Sequence, residues 1–177
     1  MLKVMHTKSF KAIIFIATLA ISALVSNNLT YADTFKTNID VAPKLNVTVP
    51  STPTEIFLDP GSNAFDYEDL QIEVSTNNYT GYYMTVSSDS TKLVKREDSS
   101  KYIETLPELT GGYSDYNFPN NKWGYKLGTN DNYIPFVSGT KIAESSTTAN
   151  GEITNLRIAT KIDFNQPSGT YEIELNF

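Results

Sequence analysis

The chain has 177 residues, 14 basic and 20 acidic, with one histidine, no cysteine and a formal net charge of −6. Its length fits one domain with a substantial core, while its acidity argues against nucleic acid or anionic lipid as a partner. The missing cysteines exclude disulfides and thiol nucleophiles, and the only histidine, His6, lies in the leader described next.

Lys3, Lys8 and Lys11 precede an apolar run over residues 12–25 that includes Ile13, Phe15, Leu19, Ile21 and Leu24. Asn27 and Asn28 break the run, and Thr30-Tyr31-Ala32 places small residues where a signal peptidase reads. Residues 1–32 are therefore expected to form a cleaved signal peptide, leaving residues 33–177 as one secreted or cell-surface domain. The run is shorter than the ~20 apolar residues of a spanning helix, and no second one follows, so the mature chain is not expected to span a membrane. The leader takes three lysines and no acid, so the exported part is more acidic than the whole.

Past the leader the pattern is period two. Leu45, Val47 and Val49 alternate with Lys44, Asn46 and Thr48. This first segment, residues 37–49, can close its own sheet or add to a neighbour's. Pro50 and Pro53 bracket a turn, and Asp59-Pro60-Gly61 is a second turn signal. Leu70, Ile72 and Val74 form one strand and Tyr82, Met84 and Val86 another; the Asn77–Gly81 turn between them predicts a hairpin. A short helix or turn is expected within residues 92–109. Residues 88–150 are loop-rich and aromatic, with Trp123 expected in the core and Tyr113, Tyr116 and Tyr133, set among glycines and asparagines, expected at the surface. At the end, Leu156, Ile158, Ile162 and Phe164 share one parity. Gln166-Pro167-Ser168-Gly169 then turns the chain into Tyr171, Ile173, Leu175 and Phe177. Alternation of this kind predicts an all-β, antiparallel sandwich, Ig-like or jelly-roll-like.

Reaction chemistry is not legible. Without histidine or cysteine the mature chain has no histidine general base and no ordinary zinc site. Paired carboxylates of a secreted hydrolase are conceivable, but no spacing points to them. Asn130-Asp131-Asn132, or Asp59 with Asp66 and Asp69, offer oxygen ligands for calcium without the ordered spacing of a known loop. No catalytic residue, metal site or cofactor is assigned. Tyr113, Tyr116 and Tyr133 are the candidate contact surface, since aromatic side chains on loops supply rigid contact area.

The series Val74-Ser75-Thr76-Asn77-Asn78-Tyr79-Thr80-Gly81-Tyr82, then Trp123-Gly124-Tyr125, then Gln166-Pro167-Ser168-Gly169-Thr170-Tyr171 carries a family likeness. It resembles secreted β-sandwich surface proteins of Gram-positive bacteria and Saccharibacteria-like lineages, and is broadly similar to WxL-type and pilin-like surface domains. The resemblance implies a surface location and a role in adhesion or assembly. The expectation is thus a non-enzymatic structural or adhesive protein. It would act through protein contacts, as a possible homo-oligomer built by strand addition. The alternative is a carbohydrate-binding module that stacks the three loop tyrosines on a cell-surface glycan.

Overall fold

A computed structural model of the chain describes residues 38–52, 54–60, 64–128 and 130–177. The expected signal peptide and its cleavage site lie outside the described residues, as does Gly61 of the expected turn at 59–61. Nine strands follow one another: β1 (Leu45–Thr48), β2 (Ala64–Thr76), β3 (Tyr82–Val86), β4 (Leu93–Lys95), β5 (Tyr102–Thr105), β6 (Lys122–Leu127), β7 (Thr140–Ser145), β8 (Ala149–Ile162) and β9 (Tyr171–Glu172). The described residues contain no helix, so the chain is all-β. The expected helix or turn in 92–109 resolves into β4 and β5 with a turn between them.

Seven strands form one sheet in the order β1-β2-β8-β6-β5-β4-β9, and β3 and β7 form a second. The long strands β2 and β8 are its spine, paired antiparallel from Ala64↔Ile162 to Thr76↔Ala149 with an irregularity between Val74 and Thr76. The even positions of both strands face one way, as the two-residue period requires. Ile72 and Val74 of β2 meet Leu156 and Ile162 of β8, together with Met84 and Val86 from β3, Ile142 from β7, Ile103, Trp123, Tyr125 and Phe136. Both sheets thus contribute to one core. Odd positions face the other side, where Ala159 packs with Leu106, Phe118 and Tyr133, flanked by Phe65 and Tyr113. Room for that second cluster depends on Gly124: a Cβ there would stand 2.8 Å from the Ile134 carbonyl oxygen and run into the Leu106 side chain.

Three pairings depart from expectation. The predicted hairpin of residues 70–86 does not form. β2 has its two edges occupied by β1 and β8, so β3 has none left to join and pairs with β7 in the other sheet. The connecting turn is self-contained: Gly81 N donates to the Asn78 carbonyl at 3.0 Å, and Asn78 Nδ2 donates back to the Gly81 carbonyl at 3.0 Å. Second, the sheet is not wholly antiparallel. β5 and β6 run parallel through Glu104↔Lys122 and Thr105↔Trp123, because residues 106–121 between them are long enough for a crossover. Third, the closing segment pairs with β4 instead of folding back on β8, and Asn176 bridges to Ser87.

The inward row of β8 ends at Ile162, so Phe164 is exposed, against the parity reading. The cause is Asp163. Its Oδ1 accepts from Asn165 N at 2.9 Å and from Asn121 Nδ2 at 2.9 Å, and this local turn takes the chain out of the sheet.

Candidate contact surfaces

The three tyrosines singled out by sequence do not form one surface. Tyr133 is 0% exposed and Tyr116 is 97% exposed, with Tyr113 half-buried between these extremes. Tyr113 and Tyr133 form a two-residue bridge: Tyr113 N donates to Tyr133 O at 2.8 Å and Tyr133 N to Tyr113 O at 2.7 Å. That bridge draws the Tyr133 ring into the second cluster, edge-on to Phe118 at 5.4 Å and to Phe65 at 5.9 Å. The expectation that Tyr133 lies at the surface is therefore corrected. Its neighbours in sequence are turn formers, yet its ring is what fills the space left above Ala159. Only Tyr116, in the turn held by Ser114 N donating to Asn117 Oδ1 at 2.6 Å, presents a free ring.

The buried Tyr133 hydroxyl has no hydrogen-bond partner. Burial, with the Asp115 carboxylate nearby, pushes its pKa up to about 12. In the unfolded chain the phenol ionises near ~10, so the fold keeps full benefit of the neutral ring below pH ~10. It loses that benefit as pH climbs toward about 12. Burial also raises the Tyr82 and Tyr125 hydroxyls, so alkaline spectrophotometric titration should show several tyrosines ionising late, together with unfolding, and Tyr133→Phe should reduce their number by one. A Tyr133→Phe profile matching the unmodified one would refute the assignment.

Beside this cluster, on the odd face, Arg157 of β8 donates through Nε and Nη2 to the two carboxylate oxygens of Asp69 on β2, each at 2.7 Å. Its guanidinium lies 3.8 Å from the centre of the Tyr67 ring. The Arg157 hydrogen bond holds the Asp69 carboxyl below its usual range. The contribution is present above pH ~4 and fades as pH falls through the lowered value. Asp69 is largely exposed, so the stabilisation is small.

The other surface feature is the edge formed by β1. Leu45 pairs with Thr76 and Val47 with Val74, so the odd side chains of β1 lie on the side of the main core. The described residues cover them only in part. Leu45 is 63% exposed, and Val47 and Val49 are about half-exposed. The even backbone groups face β2. Asn77 N donates to Lys44 O at 3.3 Å, Lys44 N to Asn77 Oδ1 at 2.7 Å, and Asn77 Nδ2 to Ala42 O at 2.9 Å. In an antiparallel ladder the alternate residues point their N–H and C=O the other way. The free edge is therefore made of the same residues, Leu45, Val47 and Val49, that expose apolar side chains.

Two hollows of about 260 and 220 Å³ open on the described surface, the second against Pro43, Leu45, Thr76, Gly81 and Tyr82. Both fall short of the ~300–1,000 Å³ that encloses a small-molecule ligand. Among the described residues no group of three or more His, Cys, Asp or Glu side chains is placed to hold a metal ion, and no helix is long and apolar enough to cross a membrane. No family model matches the chain, and neither the curated proteins nor the solved structures compared with it yield a similar one.

Proposed function

We propose that this chain is an exported, surface-associated structural or adhesive protein that works through protein contacts. The observation that carries the reading is the β1 edge, where free backbone groups and exposed apolar side chains coincide on Leu45, Val47 and Val49. Natural sheets ordinarily blunt such an edge with charge, proline, a bulge or a covering loop; here Pro43 and Pro50 bound the edge, and Leu45, Val47 and Val49 between them stay open. An edge left open and apolar is a template for another strand. The export reading rests on the leader, and the family likeness to WxL-type and pilin-like domains points the same way. The two sheets are taken as layers of an Ig-like or jelly-roll-like sandwich. The single core to which both contribute supports that packing.

The reading is tested with the exported protein. Mass measurement should find its first residue at Asp33. Self-association in sedimentation, or retention on the producing cells, should be present and should be lost when the residues before Pro50 are removed. A strict monomer that also fails to stay on those cells would end the proposal. The glycan-binding alternative now depends on Tyr116, because Tyr133 is buried. A glycan array on which Tyr116→Ala binds like the unmodified protein would dispose of it.

A further inference from the structure

Resting on that contact reading, we infer that the partner of β1 is β1 of a second copy, paired antiparallel about a two-fold axis through Val47. The free ladder sets this register. Residues 45, 47 and 49 point their amides and carbonyls outward, as derived above from the bonds of Lys44 and Asn77. Pro43 occupies the next outward position and has no N–H to offer. The usable edge is thus three alternate residues long and symmetric about Val47. These three alternate residues span five positions, the length of an ordinary strand (~5–6 residues), between Pro43 and Pro50. A second β1 carries the same limits and matches them.

Centred on Val47, each Val47 N–H donates to the other copy's Val47 carbonyl. Leu45 and Val49 of opposite copies exchange bonds in the same way. A two-fold axis perpendicular to the sheet leaves its faces unchanged, so Leu45, Val47 and Val49 of both copies merge into one apolar strip on the core side. This is an isologous contact, the commonest kind in homo-oligomers. Charge favours it as well. The exported chain is acidic, yet residues 41–54 contain no acid and a single base, Lys44. In this register Lys44 falls opposite the other copy's Pro50, away from its own equivalent. This stretch is therefore a place where two acidic copies can approach with little repulsion.

The contact is small. Three apolar side chains per copy fall well below the ~1,200 Å² of a stable interface. The pair should therefore form at high concentration, or where copies are crowded on one surface and their effective concentration is raised.

The chain has no cysteine, so one introduced thiol reports one contact. Exported protein carrying Val47→Cys should form a disulfide-linked dimer under mild oxidation. Its yield should be at least about ten-fold that of Ile153→Cys, a similarly exposed position on the opposite face of the sheet. Val47→Lys, on a side chain already partly in solvent, should keep the melting temperature and abolish concentration-dependent dimers in sedimentation. Equal crosslinking at the two cysteines, or a Val47→Lys protein that dimerises normally, would overturn the inference. If Val47→Cys fails to crosslink while Val47→Lys still loses retention on the producing cells, β1 binds something other than itself. The contact reading then stands and the two-fold pairing falls. If neither variant changes anything, both fall.

Discussion

Trp123→Ala is expected to destabilise the domain by about 3–5 kcal/mol, the range for truncating a large aromatic in a close-packed core. Trp123 is 0% exposed, stacks on Phe136 at 5.3 Å between centroids, and satisfies its indole N–H by donating to the Thr91 carbonyl at 3.0 Å. Removal would open a cavity and also leave the Thr91 carbonyl short of its donor. Typical domains hold ~5–15 kcal/mol in total, so the variant should sit near the edge of folding. Urea titration followed by far-ultraviolet circular dichroism measures the loss. A midpoint shift worth less than about 1 kcal/mol would show that this side chain is not central to the core. Because it is the only tryptophan in the chain, its fluorescence in the unmodified protein reports the same core directly, and its emission should shift to longer wavelength only when the domain unfolds.

Gly81→Ala should be nearly as damaging, for a different reason. Gly81 has φ +80°, and a Cβ there would drive into the backbone carbonyl of Ser145, at the far end of the strand with which β3 pairs. The left-handed backbone costs an alanine ~1–2 kcal/mol, and forcing a methyl group against main chain adds ~1–3 kcal/mol. Gly111 isolates the first effect: its φ is +85°, and nothing lies within 4 Å of its would-be Cβ. Gly111→Ala should therefore cost only the backbone share, and Gly81→Ala more by at least ~1 kcal/mol. Equal losses would mean that the turn after β2 can move away from Ser145 and is not pinned by the second sheet.

Gly81 also marks where reading by sequence stops working. Asn77–Gly81 is a turn, as its residues predict, and strands flank it on both sides. Alternation located those strands because it is a local property: each second side chain of Leu70–Val74 and Tyr82–Val86 must be hidden. It says nothing about which strand lies alongside. β2 already holds β1 on one edge and β8 on the other, and residues 45–48 and 149–162 make that known only when the chain is folded. The closing segment shows the same division. Tyr171, Ile173, Leu175 and Phe177 do pack on the core, yet their neighbour is β4 and not the strand that precedes them.

The exposure of the loop tyrosines was partly legible. Tyr116 is exposed as its surroundings suggest, while Tyr133, in equally turn-like company, is not. The difference lies in Ala159 and Gly124, whose smallness leaves a space on the odd face of the sheet that Tyr133 fills together with Leu106 and Phe118. No local pattern announces such a vacancy. The Arg157–Asp69 pair was equally silent, since its members are far apart in sequence and meet only through the β2–β8 register.

The amino-acid order alone determined that this protein is built of short extended segments, which face of several of them is hidden, and that Trp123 is interior. These follow from side-chain period and size, which are carried by neighbours along the chain. Tertiary structure alone decided that β2 and β3 part into different sheets, that β5 and β6 run parallel, and that Leu45, Val47 and Val49 end on an open edge. Those outcomes depend on which strand edges are already taken, and an edge is used up only by pairing with a segment distant in sequence.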